Sequence, residues 1–178
     1  MSGPFKGVRV LELTSTVSGP FAGMMLADQG AEVIKIEPPG IGDLARFMGT
    51  IKDGMGAMFS TLNRNKKCIC LDFKNEEDLS VLMQLVSTAD VLIENYRPGI
   101  VKKLGIDYKT LKKIKPDLIY CSISGYGQSG PYKEKKVYDP LIQGTVGIPH
   151  AQNSEFPELI RTIIYDKVTG LTSAQAIS

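Results

Sequence analysis

Two short runs near the start of the chain limit its possible folds most. Residues 8–14, VRVLELT, and residues 31–37, AEVIKIE, are apolar and rich in β-branched side chains, as strands are. Between them lie a turn-like STVSGP and a helical stretch, PFAGMMLADQG, with Pro20 in its first turn and Gly30 at its end. A strand, a helix and a second strand within forty residues make a parallel pair joined by a right-handed crossover the natural outcome. The pattern then repeats. KKCICLDFK (66–74), DVLIENY (90–96) and LIYCSISGYG (118–127) are further strand candidates, the last reading as buried. Residues 75–89 open with Asn75 as a cap and acids in the first turn, and Leu79, Leu82, Met83 and Val86 recur at helical spacing. One or two short helices fit before Pro116, and residues 128–160 read as loop-rich. The expected fold class is α/β: an open, mostly parallel Rossmann-like sheet with crossover helices.

At 178 residues, the chain suits one domain, or one domain and part of another. A formal net charge of +2 gives no nucleic-acid signal. The three cysteines, Cys68, Cys70 and Cys121, have no C-x-x-C spacing, and His150 is the one histidine. Zinc is therefore not expected. The thiols read as reduced and buried, which implies a cytoplasmic protein. No run of 18 apolar residues predicts a membrane span.

In open parallel sheets, ligands bind beyond the carboxyl ends of the strands. The strand-end loops here are TSTVSGP, EPPGIGD, NYRPG and SGYGQSG. The first is not G-x-G-x-x-G, and Glu37 is a weak match to a ribose-binding acid, so the nicotinamide signal is poor. NRNKK (63–67) is either a solvated turn or a cationic clamp for phosphates made by Arg64, Lys66 and Lys67. ENYRPG adds an amide, a phenol and a guanidinium at a strand end, and KEKKVYDP adds three lysines. Asp166 precedes a helical stretch. It reads either as an N-cap or as a carboxylate kept ionised at the positive end of a helix dipole, able to attack an activated carbonyl. His150 is a weaker candidate for a general base.

Six stretches, taken together and in order, resemble the family III CoA-transferases: GVRVLELT…GPFAGMMLADQGAEVIKIEPPGIGD, NRNKKCICLDFK, ADVLIENYRPGIVKKLGI, PDLIYCSISGYGQSGPY, YDPLIQGTVGI and DKVTGLTSAQAI. The resemblance implies transfer of CoA from an acyl-CoA thioester to a carboxylic acid acceptor. The family's nucleophile falls on Asp166, which would pass through an aspartyl anhydride and an aspartyl-CoA thioester. No metal or redox cofactor is implied, coenzyme A being substrate and carrier. The family's CoA contacts fall on Val17, Ser18, Leu71, Asp72, Phe73, Lys74, Asn95, Tyr96, Arg97, Lys103, Lys136, Val137, Tyr138 and Asp139.

The resemblance also implies a homodimer, interlocked in full-length members, and neither nucleic-acid nor membrane partners. Members usually run to more than twice this length. Residues 1–178 thus read as the N-terminal part of the large CoA-binding domain, with the family's small C-terminal domain absent. Three positions depart from the pattern. Val17 replaces the glutamine of formyl-CoA transferase, which weakens an oxalate or formate role. Pro38 replaces a frequent arginine. Tyr138 replaces the histidine that the sister 2-methylacyl-CoA racemases need for two-base proton exchange, which favours transferase over racemase. A CoA-binding module without catalysis is the further alternative.

Overall fold

Five parallel strands form the main sheet: β1 (Arg9–Leu13), β2 (Glu32–Glu37), β5 (Lys66–Cys70), β6 (Val91–Glu94) and β7 (Ile119–Ser122). The computed structural model describes residues 3–153 and 155–178. The spatial order is β5-β2-β1-β6-β7. The chain builds outward from β1 to one edge, returns to β6 on the other side of β1, and continues to β7. Their C-terminal ends thus leave a crevice between β1 and β6, where the direction of winding reverses. The expected open parallel α/β architecture is the observed one.

The helices divide between the two faces. α1 (Ser18–Asp28) and α8 (Ile164–Ile177) cover one face, over Val10, Val33, Val91 and Ile93. The other carries α3 (Glu76–Ser87), α4 (Ile100–Lys103) and α5 (Tyr108–Leu111), over Leu11, Leu13, Ile36 and Leu92. With both faces of the central strands covered, each reads as a nearly continuous apolar run. Asn75 caps α3 as expected: its Oδ1 accepts the N–H of Glu77 at 2.8 Å.

Several expectations need correction. Among the described residues β7 is an edge strand, and it is only partly covered, with Ile119 47% exposed. A hairpin of β3 (Ile51–Lys52) and β4 (Met55–Gly56), followed by α2 (Ala57–Leu62), fills a stretch that carried no periodic signal. Residues 128–160 are not all loop: α6 (Asp139–Thr145) and α7 (Ile148–Gln152) lie there. Cys68 and Cys70 are exposed on the edge strand β5, so the argument from buried thiols to a compartment does not hold. No described helix is long and apolar enough to cross a membrane.

Candidate active site

The crevice at the reversal point is built from two loops stitched together. Asn95, just past β6, accepts the Ser15 N–H through Oδ1 at 3.0 Å and donates from Nδ2 to the Ser15 carbonyl at 2.8 Å. Both ends of the amide are therefore committed to the β1 loop. Thr16 in that loop has φ 72°, a left-handed conformation that a non-glycine residue holds only under constraint. The constraint comes from below. Thr16 N–H donates to Asp43 Oδ1 at 2.9 Å, and the other oxygen of Asp43 pairs with Lys35 Nζ at 2.9 Å.

Lys35 is wholly buried. Its Nζ also reaches Glu12 Oε1 at 3.0 Å and the Thr14 carbonyl at 2.7 Å. Lys66 Nζ takes the other oxygen of Glu12 at 2.7 Å and donates to the Asn63 side chain and the Pro20 carbonyl, each at 2.8 Å. Burial alone would pull the Lys35 ammonium below the ordinary lysine range, but Glu12 and Asp43 outweigh it and the net shift is upward. For Lys66 burial prevails over Glu12, and the shift is downward. This network carries the floor of the β1 loop.

It also disposes of the phosphate-clamp reading of NRNKK. Lys66 is buried in the network, Arg64 pairs with Asp28, and Lys67 pairs with Glu32 at 2.7 Å. The stretch leads into β5, so it sits at the amino end of a strand, away from the rim where the crevice opens.

Asp166 lies in the first turn of α8, half-buried, but it is not the cap. The cap position is Ile163, which has no side-chain acceptor. The carboxylate that satisfies the helix start comes from α6: Asp139 Oδ2 accepts the N–H of Tyr165 at 2.5 Å and of Asp166 at 3.1 Å. Asp166 is thereby free of a capping duty, and its carboxylate meets the Ser18 hydroxyl at the start of α1. Burial, and after it the charge of Asp139, push the Asp166 carboxyl above the ordinary aspartate range, while the Ser18 hydrogen bond pulls it back. The helix dipole alone would act in the opposite direction.

The other expected ligand contacts fall into two groups. Lys74, Arg97, Lys103, Lys136 and Tyr138 are exposed, and Asp72, Phe73, Tyr96 and Val137 are partly so. All of them except Lys103, which lies on α4, sit in loops that follow strands of the sheet or, for Tyr138, at the start of α6. Val17, Leu71 and Asp139 are buried, and both oxygens of Asp139 accept hydrogen bonds from the protein. Its side chain serves the start of α8. Ser18 is likewise buried and turned to Asp166. His150 is exposed on α7. Sequence reasoning missed the Glu12–Lys35–Asp43–Lys66 network. Its signal was a charged residue at an inward position of each of two strands, Glu12 and Lys35, which are paired in register.

Residues 5–178 match the sequence model of CoA-transferase family III. An acetyl-CoA:oxalate CoA-transferase from Acetobacter aceti is 45% identical over 156 residues, spanning 88% of this chain and 40% of that protein. A succinyl-CoA:glutarate CoA-transferase from Mus musculus is 40% identical over 177 residues, spanning 98% of this chain and 41% of that protein. Among solved structures, a CAIB/BAIF family protein from Brucella suis superposes with a TM-score of 0.93 at 42% identity, covering 99% of this chain and 48% of that one. The chain thus spans less than half the length of these relatives. With the match running through the crevice, the network and Asp166, this chain belongs to CoA-transferase family III.

Proposed function

We propose that residues 1–178 form the CoA-binding, nucleophile-bearing part of a CoA-transferase large domain. In this reading, Asp166 attacks the carbonyl of an acyl-CoA, forming a mixed anhydride and expelling CoA thiolate. The thiolate attacks the Asp166 carboxyl carbon, which releases the donor acid and leaves an aspartyl-CoA thioester. An acceptor carboxylate displaces the thiolate through a second anhydride, and the thiolate then takes the acceptor acyl group, restoring Asp166. The observation that carries the reading is a carboxylate that does not cap its own helix, half-buried beside Ser18 at the start of α1, the helix that follows the crevice loop. Its partial burial strips away some of the hydration that would otherwise blunt the carboxylate.

Arg97, Lys103 and Lys136 are the cations proposed to meet the phosphates of CoA, and Asp72, Phe73, Lys74, Tyr96, Val137 and Tyr138 to line its path. The buried Val17, Ser18 and Leu71 would contribute main-chain atoms. The names of the relatives make small dicarboxylic acids the first acceptors to screen, oxalate included, whatever Val17 excludes. A cytoplasmic homodimer is the proposed state of the protein. Tyr138, 71% exposed, offers no imidazole for proton exchange and keeps racemisation the lesser reading. Intact-mass spectrometry after incubation with succinyl-CoA tests the proposal. A CoA-sized adduct is expected at Asp166, lost on borohydride treatment and absent in Asp166→Ala. An adduct persisting in that variant, or none in the parent, overturns it.

A further inference from the structure

Gln143 stands one turn after Asp139 on α6 and is 1% exposed. Its Nε2 donates to Asp139 Oδ1 at 2.6 Å and to the carbonyls of Thr162 at 3.1 Å and Ile160 at 3.4 Å. Its Oε1 accepts the Ile160 N–H at 2.9 Å. Asp139, 5% exposed, spends its second oxygen on Tyr165 and Asp166. Apart from the bond between the two side chains, every one of these contacts goes to the main chain of residues 160–166. A helix start is ordinarily satisfied by the residue at its own N-cap. Here the acceptor comes from 26 residues upstream, and it is an anion placed beside another carboxylate. That arrangement costs electrostatic energy, which a serine at position 163 would have avoided.

We infer that Asp139 and Gln143 are positioning residues for Asp166: together they fix the first turn of α8 and hold a second carboxylate against the nucleophile. The inference rests on the reading of Asp166 as nucleophile. The geometric part is the set of main-chain bonds, which leaves the Asp166 side chain no freedom gained from a fraying helix end. The electrostatic part is charge proximity. The groups turned to Asp166 are Asp139 from α6 and the Ser18 hydroxyl from α1, while neighbouring Lys167 is turned aside to Thr162 Oγ1 at 2.8 Å. With burial acting first and the Asp139 charge beside it, Asp166 holds its proton more tightly than an ordinary aspartate, and its anion is correspondingly more nucleophilic.

A titration followed by 13C-carboxyl NMR tests this without needing turnover, with Asp166 assigned by Asp166→Asn. In the parent, the Asp166 midpoint is expected above the ordinary aspartate value of 3.8. In Asp139→Asn it should fall towards that value, and amide hydrogen exchange at Tyr165 and Asp166 should quicken roughly tenfold or more. Gln143→Leu should quicken the same amides while keeping the raised midpoint. An Asp166 midpoint at or below 3.8 in the parent overturns the inference even if Asp139→Asn does not fold. So does an unchanged midpoint and unchanged exchange in a folded Asp139→Asn. A missing CoA adduct at Asp166 with these titration results intact would instead remove the nucleophile reading and leave the positioning one.

Discussion

Gly170 faces the main-chain carbonyl of Ser18 so closely that a Cβ on it would lie 2.6 Å from that oxygen and 2.8 Å from the Phe21 ring. Gly170 is one turn beyond Asp166 and on the same side of α8. The missing side chain therefore lets α8 settle backbone-first on the start of α1, which brings the Asp166 carboxylate to Ser18. Gly19 and Gly23 of α1 allow comparable approaches to Thr14 and to Glu12 Oε2. The site depends on this close packing of one helix on another and of both on the sheet.

Gly170→Ala should accordingly destabilise the chain by about 1–3 kcal/mol, since a backbone carbonyl has nowhere to move. Gly144, on α6, has nothing within 4 Å of an added Cβ. Gly144→Ala should be neutral, or stabilise by up to about 1 kcal/mol through helix propensity. Urea denaturation midpoints of the two variants provide the comparison.

Lys35→Met leaves Glu12 and Asp43 without their shared cation in a fully buried site. Breaking a buried ion pair from one side costs about 3–5 kcal/mol. Because Asp43 also holds the Thr16 amide, the β1 loop should loosen first. Amide hydrogen exchange at Thr16 is expected to rise beyond the level that the global loss of stability explains.

Glu94 is 1% exposed; its Oε2 accepts the Tyr96 N–H at 2.8 Å, while Oε1 has no hydrogen-bond partner. Burial pushes its carboxyl above the ordinary glutamate value, with nearby Ser122 and the Tyr96 N–H opposing. A folded-state pKa above the unfolded one means that the folded state binds the proton more tightly. The charge therefore costs stability above the folded pKa, and the cost fades as the pH falls towards 4.5. Glu94→Gln should stabilise by about 1 kcal/mol at pH 7 to 8, a few degrees in Tm. The gain should shrink on acidification. A gain independent of pH would contradict the assignment to charge burial.

Asn95→Ala removes both bonds to Ser15 across the crevice. The loss should be about 1–2 kcal/mol of stability. Isothermal titration with CoA should show weaker binding than in Thr145→Ala, which touches only the carbonyl of Leu141 on its own helix. Equal affinities in the two variants would show that the loop junction does not shape the ligand site.

The local part of this fold was legible in the residues. β1 and β2 announced themselves by β-branched runs, α3 by Asn75 and a 3.6-residue apolar period, and the turns by glycines such as Gly30, whose φ is +100°. Elements too short to show a period escaped: the two-residue strands of the 51–56 hairpin, and the helices of 7 and 5 residues at 139–145 and 148–152, each with a proline at its start.

The position of Asp166 on the chain, its place at the start of a helix and its resemblance to the family's nucleophile belonged to the sequence alone. Who meets it did not. An N-cap is read from neighbours in sequence, but α8 is satisfied by Asp139 on another helix. NRNKK looked like free positive charge, but whether a lysine is solvated or buried depends on which strand lies beside it. The order β5-β2-β1 puts Glu12 within reach of both Lys35 and Lys66. Charges act through space at distances of a few ångströms, and only the packed sheet determines which residues are that close.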